Sequence, residues 1–177
     1  PVIRSIQRGE IVLADTVNSN TATITSVNTA STVITLLGFS NAGSTADPAL
    51  NQWPVRIVLT NATTITATMI GNNGGGGCTL KYEVIEYWSH VLTGLGVQRG
   101  SITISDTSST NTASITSVNT SKSFIVPGGW TSSSSSATLG MSHFTGYLIL
   151  TNGTTVTATR SGTTGDLIFV YQVIEFR

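Results

Sequence analysis

Apolar and polar residues alternate in short runs along the chain, and a period of two residues predicts β-strands rather than helices. In the segment 64–70, for example, Ile65, Ala67 and Met69 share one face and three threonines occupy the other. Most of these runs are rich in β-branched residues, and asparagine or glycine separates them, as is typical of strands joined by turns. No stretch keeps a helical period over three turns. The pattern therefore predicts an all-β chain.

Twelve strands are expected, six in each half of the chain. Those of the first half are predicted at about 3–14, 21–27, 33–39, 54–59, 64–70 and 80–88. Those of the second half are predicted at about 96–105, 113–117, 123–126, 146–150, 155–160 and 167–176. Gly9 is expected to form a bulge or bend in the first strand. The residues 60–62 predict the turn of a hairpin.

The two halves are copies of one module. Gln7 corresponds to Gln98 within a repeated Gln-Arg-Gly sequence, at an offset of 91 residues. After the glycine-rich segment 71–77 the offset falls to 89, so that Tyr82 corresponds to Tyr171. Only two copies of so long a unit indicate tandem globular domains, since solenoid repeats are about 20–50 residues long.

The repeat sets the expected domain boundaries. Module 1 is predicted at 1–88, a short linker at 89–95 and module 2 at 96–177. Short strands at regular spacing, separated by turn residues, are typical of antiparallel sandwiches and barrels. We therefore predict two tandem antiparallel β-sandwich modules of about six strands each. The short linker is expected to hold them side by side.

Charge is scarce, and this restricts the expected partners. The formal net charge is zero and 9% of the residues are charged, against about 25% in an average soluble domain. A neutral chain has no electrostatic attraction for polyanions, so neither nucleic acid nor an anionic membrane is expected as a partner. No apolar run approaches the ~20 residues of a membrane span. With weak charge repulsion, the chain is better suited to an assembly than to a free monomer.

Few residues offer chemistry. The single cysteine, Cys78, excludes an intrachain disulfide. The glycine-rich segment lacks the Gly-Lys-Ser/Thr ending of a phosphate loop and precedes a strand, not a helix. The only histidines, His90 and His143, form no zinc-ligand cluster and belong to no nucleophile motif. We therefore expect no catalytic, cofactor-binding or metal-binding residues, and no enzyme.

Three ionic positions recur in both copies despite the shortage of charge. They are Arg8 and Arg99, Asp15 and Asp106, and Glu86 and Glu175. Glu86 has the strand parity of Tyr82, which predicts a carboxylate that points inward or toward a module edge, and a buried carboxylate needs a partner. Our hypothesis pairs Arg8 with Glu86 and Arg99 with Glu175, tying the first strand of each module to its last. The alternative places these side chains at solvated strand ends.

Contacts with other molecules are expected at two loops and a few aromatic residues. The segments 40–52 and 131–143 occupy the same place in the two copies but differ in sequence, and variable loops usually carry contacts. The candidate interface or ligand residues are Asp47, Trp53, Trp88, Trp130 and His143. Trp130 aligns with Phe39, which also suggests a core position. Trp88 is expected at the junction between the modules.

Four repeated motifs resemble short all-β proteins encoded among the structural genes of tailed bacteriophages. They are Gln-Arg-Gly, Thr-Ala-Thr-Ile-Thr-Ser-Val-Asn, Leu-Thr-Asn-Ala-Thr-Thr-Ile-Thr-Ala and Tyr-Glu-Val-Ile-Glu-Tyr. The resemblance implies a virion component, such as a capsid decoration (cement) protein or a tail accessory protein. The closing Tyr-x-Val-x-Glu strand is also similar to H-type lectin domains, which are six-stranded sandwiches that trimerise.

The resemblance leads to two functional expectations. The first is a capsid decoration protein in the virion, assembled in the host cytoplasm, that binds the major capsid protein or another virion protein. Three two-module chains around a threefold axis would form a homotrimer with a pseudo-sixfold ring of modules. The alternative is a carbohydrate- or receptor-binding module of a phage tail or fibre, which would bind a surface glycan.

Overall fold

In the computed structural model, residues 1–14, 17–41, 54–69, 77–132 and 145–177 are described. Within these ranges each half of the chain forms six strands. Those of module 1 are β1 Ile3–Leu13, β2 Ser19–Thr23, β3 Thr32–Asn41, β4 Val55–Asn61, β5 Thr64–Met69 and β6 Cys78–Tyr87. Those of module 2 are β7 Leu92–Ile104, β8 Thr110–Ser114, β9 Ser123–Ser132, β10 Gly146–Asn152, β11 Thr155–Arg160 and β12 Leu167–Phe176. The predicted all-β, antiparallel fold is confirmed.

Each module consists of two three-stranded sheets around its own apolar core. In module 1 the sheets have the strand orders β1-β6-β3 and β2-β5-β4, and in module 2 the orders β7-β12-β9 and β8-β11-β10. The core of module 1 contains Leu13, Ile57 and Leu80, while that of module 2 contains Ile104 and Phe169. Alternation along each strand sends one set of side chains into this core, as in β5 and β11.

A repeated glycine makes room for a buried tyrosine. Gly9 lies opposite Tyr82 in regular register, and a Cβ atom at Gly9 would lie 2.5 Å from the Tyr82 hydroxyl. Gly100 has the same relation to Tyr171, at 2.4 Å. The predicted bulge at Gly9 is therefore wrong: the register shift of β1 falls between Ile3 and Ser5. Glycine is needed because the tyrosine ring lies across the strand.

Repeated amide side chains fix the connection between the second and third strands of each module. The Gln7 amide accepts from the N–H of Thr25 at 2.7 Å and donates to its carbonyl at 2.9 Å. Gln98 does the same with Thr116. Because this side chain takes the backbone groups that a strand neighbour would use, β2 ends at Thr23 and not near residue 27 as predicted.

The predicted linker 89–95 is not a free connection. Ser89–Val91 forms a short 3-10 helix, and the next four residues already belong to β7. Leu92 is buried in a third apolar cluster, here called the module junction, which also contains Val33, Val97, Val126 and Ile174. Val33 comes from module 1 and the rest from the second half of the chain. The two modules therefore share this third apolar cluster in addition to their separate cores.

Strand pairing and one side chain lock the module junction. Strand β4 pairs with β9 at Arg56 and Gly129, which joins a sheet of each module into one six-stranded sheet. The buried Gln172 accepts from the N–H of Ile34 at 2.9 Å and donates to its carbonyl at 2.7 Å. Gln172 thus makes the two backbone hydrogen bonds that a neighbouring strand would make with Ile34 at the edge of β3.

Each module begins and ends at the same place. The N–H of Trp88, just after β6, donates to the carbonyl of Val2 at 3.1 Å. In module 2 the N–H of Arg177 donates to the carbonyl of Val91 at 3.0 Å. The first and last strands of each module are therefore neighbours along their whole length.

Candidate functional site

Glu86 is a buried carboxylate that joins three parts of module 1. It accepts from the N–H of Asn28 at 2.9 Å, from the hydroxyl of Ser5 at 3.0 Å and from the Arg4 guanidinium at 2.8 Å. Its side chain is 4% exposed, so of the two expected orientations Glu86 takes the inward one. A buried carboxylate with three donors is a structural tie between β1, β6 and the start of β3.

Arg8 has a different partner from the one predicted. It lies opposite Glu83 in the β1–β6 register, and the two side chains form an ion pair at 2.6 Å. The predicted pairing of Arg8 with Glu86 is therefore corrected, and Arg4 takes that role. Both members of the Arg8–Glu83 pair lie on the outer face of the sheet.

Arg99 crosses to the other module. It donates to the carbonyl of Thr32 at the start of β3, and burial lowers the pKa of its guanidinium. The predicted pairing of Arg99 with Glu175 is also corrected. Glu175 instead accepts from the N–H of Asn119 at 2.7 Å and from the hydroxyl of Thr93 at 3.0 Å. Glu175 repeats the tie made by Glu86, but without an arginine.

The two described tryptophans occupy different environments. Trp88 lies next to the 3-10 helix that links the modules, with its ring 5.5 Å from the Arg4 guanidinium carbon and 6.3 Å from the His90 ring. Its side chain is exposed and is absent from the apolar cluster of the module junction. Trp130 packs against the core of module 2, with its ring 5.9 Å from Phe169.

The other candidate contact residues lie outside the described ranges. They are Asp47, Trp53 and His143, together with Asp15 and most of the loops 40–52 and 131–143. Their predicted contact roles stay predictions.

A groove of about 350 Å³ runs along the module junction, and each module supplies one of its walls. The wall from module 1 is formed mainly by β4, including Arg56 and Val58. The wall from module 2 contains Gln172 and six further residues, here called the covered depression: Arg99, Gly100, Ser101, Gly128, Val170 and Tyr171. Arg99 and Ser101 stay exposed beside the groove. Gly128 permits the close approach, since a Cβ atom there would lie 2.6 Å from the carbonyl oxygen of Ile57.

Module 1 carries the repeat equivalent of this wall without a cover. A depression of about 450 Å³, here called the exposed depression, is lined by Arg8, Gly9, Glu10, Leu37, Lys81 and Tyr82. Each of these six residues is the repeat equivalent of one residue of the covered depression. Arg8 pairs with Glu83 and Lys81 with Glu10, so the charges of this face are matched within the module.

Two residues that form the module junction occupy positions where the copies differ, so the repeated residues of the sequence do not point to them. Gln172 stands where module 1 has Glu83, and Gly128 where it has Leu37. A comparison of residue class between equivalent positions could have found them. The repeated residues Glu86 and Glu175 instead form contacts within their own modules.

No family model, curated protein or solved structure matches the chain. Among the described residues, no three His, Cys, Asp or Glu side chains come together as metal ligands would. The same part of the chain contains no helix with the length and apolar character needed to span a membrane.

Proposed function

We propose that this chain is a non-enzymatic structural component of a bacteriophage virion, and specifically a capsid decoration protein. Its partners are the major capsid protein or another virion protein, and further copies of itself. Support comes from the resemblance of its repeated motifs to phage structural proteins and from the kind of surface that its modules expose.

The observation that carries the proposal is the apolar character of that surface. Among the described residues, twelve large hydrophobic side chains are exposed. Apolar surface that is grouped, and not scattered singly, is typical of protein contact sites. Eight of these side chains lie on two groups of strands, β1 and β3 in module 1 and β9 and β10 in module 2: Ile3, Ile6, Val12, Leu37, Phe39, Phe124, Tyr147 and Ile149.

The proposed mechanism is burial of apolar and strand-edge surface between chains and onto the shell, which stiffens the shell without chemistry. A homotrimer would present six similar modules around a threefold axis and so match a pseudo-sixfold lattice. With 9% charged residues, such contacts depend little on electrostatic attraction.

Electron microscopy of particles from the source, labelled for this protein, tests the proposal. We expect regular labelling over the head. Labelling confined to the tail tip or fibres would replace decoration with the receptor-binding function, and a glycan array would then identify the sugar. Particles that carry no label would contradict a virion role altogether.

A further inference from the structure

Because the two modules are copies, the way they meet within one chain suggests how a module of one chain could meet a module of another. Within one chain, β4 of module 1 covers a depression of module 2. The same depression on module 1 is exposed, and the strand of module 2 equivalent to β4 is β10. We propose that β10 of one copy covers the exposed depression of a second copy, so that chains join head to tail. This inference deepens the homo-oligomer of the proposed function and does not depend on the virion.

Apolar exposure is concentrated on the two surfaces that this contact would bring together. Tyr147 on β10 and Leu37 on β3 are, at 58% and 56%, the most exposed large hydrophobic side chains of the described residues. Tyr147 is the equivalent of Arg56, which forms part of the module 1 wall, and Leu37 is the equivalent of Gly128. The exposed Ile149 likewise corresponds to Val58 of that wall.

Near the proposed contact the strand edges have no strand partner within the described ranges, although Gln172 binds Ile34 and Arg99 binds Thr32 nearer the start of β3. In the described residues, β10 pairs only with β11, and β3 pairs only with β6. Inside the chain, β4 and β9 pair at Arg56 and Gly129, and the equivalents of these two residues are Tyr147 and Gly38. Gly38 and Gly129 both have positive φ angles, of 144° and 88°. Of the two adjacent glycines that admit β4 onto β9, one is thus present on β3, and Leu37 replaces the other.

The contact between copies differs from the junction within a chain in two ways. Leu37 supplies a side chain where Gly128 has none, so β10 rests on that side chain and not on the backbone. The exposed depression also holds Glu10 and Lys81 in place of Ser101 and Val170. An interface with such paired charges is more polar than the module junction, as is typical of chains that fold first and associate afterwards.

A head-to-tail contact uses a different surface on each partner, so it propagates until a ring closes. Two single variants therefore test it together. Leu37→Asp disables the module 1 surface and Tyr147→Asp the module 2 surface. Both side chains are more than half exposed, so neither change should alter the thermal unfolding of the chain. Val12→Asp is the matched control, since Val12 is 48% exposed on β1 but its equivalent, Thr103, does not line the junction groove.

Native mass spectrometry and light scattering of the purified chain give the readout, without particles. We expect an oligomer for the wild type and for Val12→Asp, and a monomer for each of the two other variants alone. Mixing these two variants should give a dimer and nothing larger, because each supplies the surface that the other lacks. A monomeric wild type, undiminished association of both variants, or a mixture without dimers would overturn the inference. These measurements test the head-to-tail contact alone, and the microscopy of particles tests the virion role independently.

Discussion

The two modules have the same frame but different outer faces. Both use the glutamine amide, the glycine beneath the tyrosine and the buried glutamate at the same positions. On the outer face of the sheet containing the first and last strands, module 1 carries Glu10, Lys81 and Glu83 where module 2 carries Ser101, Val170 and Gln172. Val170 and Gln172 are buried at the module junction, where charged side chains would lose their solvation, while Ser101 stays exposed.

The largest loss of stability is expected when Gln172, which has no counterpart in module 1, is replaced. Gln172→Leu leaves the buried N–H and carbonyl of Ile34 without partners. Each unsatisfied group costs about 1–3 kcal/mol, and water can enter the neighbouring groove, so we expect a loss of about 2–4 kcal/mol in the free energy of unfolding. Denaturant titration of the whole chain, followed by tryptophan fluorescence, measures this loss.

The equivalent change in module 1, Glu83→Leu, is the control. It removes only the partly exposed ion pair with Arg8, which is worth about 0–1 kcal/mol. Equal losses for the two variants would mean that Gln172 does not hold the modules together.

A second difference lies at the end of the fifth strand of each module, where buried Arg160 of module 2 stands in place of buried Met69. Arg160 donates to the carbonyls of Ser105 and Ser108, at 2.9 Å and 3.0 Å, and to that of Gly165. Burial lowers the pKa of this guanidinium, and the nearby Asp106 and Asp166 partly oppose that effect.

Methionine is therefore not expected to be tolerated at position 160 as it is at position 69. We expect a loss of about 2–3 kcal/mol in the free energy of unfolding, since these carbonyls lose a charged donor. Thermal unfolding with calorimetric detection measures it. Met69→Leu, a swap between apolar side chains of similar size, should cost less than about 1.5 kcal/mol. If Arg160→Met unfolds like the wild type, water replaces the guanidinium without cost.

The smallest effect is expected from making the exposed depression resemble the covered one. The double variant Glu10→Ser/Lys81→Val removes an exposed ion pair, so unfolding should change by about 1 kcal/mol or less. The contribution of the lost pair should shrink as salt is added, because salt screens exposed charges. Denaturant titrations at low and high salt test this. A large difference that persists at high salt would show that the pair is not solvated.

Local pattern predicted the fold well because alternation and turn residues decide where strands form. Strand parity also gave an inward position as one of two orientations for Glu86, and the structure shows that one. The partner of Glu86 could not be predicted, because the strand register places Arg8 opposite Glu83 and leaves Arg4 beside the Glu86 carboxylate. The role of Gly9 was missed for a similar reason, since a cross-strand ring is not visible in a single strand. The module junction could not be predicted, because it depends on how two folded units dock.

The meeting of each module's two ends has an evolutionary consequence. A unit whose last residue returns to its first can be copied in tandem by one in-frame gene duplication, since the new copy starts where the old one finishes. Val2 with Trp88, and Val91 with Arg177, mark that return in the two copies. Once two copies are fused, each is free to diverge. One copy can lose surface charge and become an internal partner, while the other keeps a charged exterior.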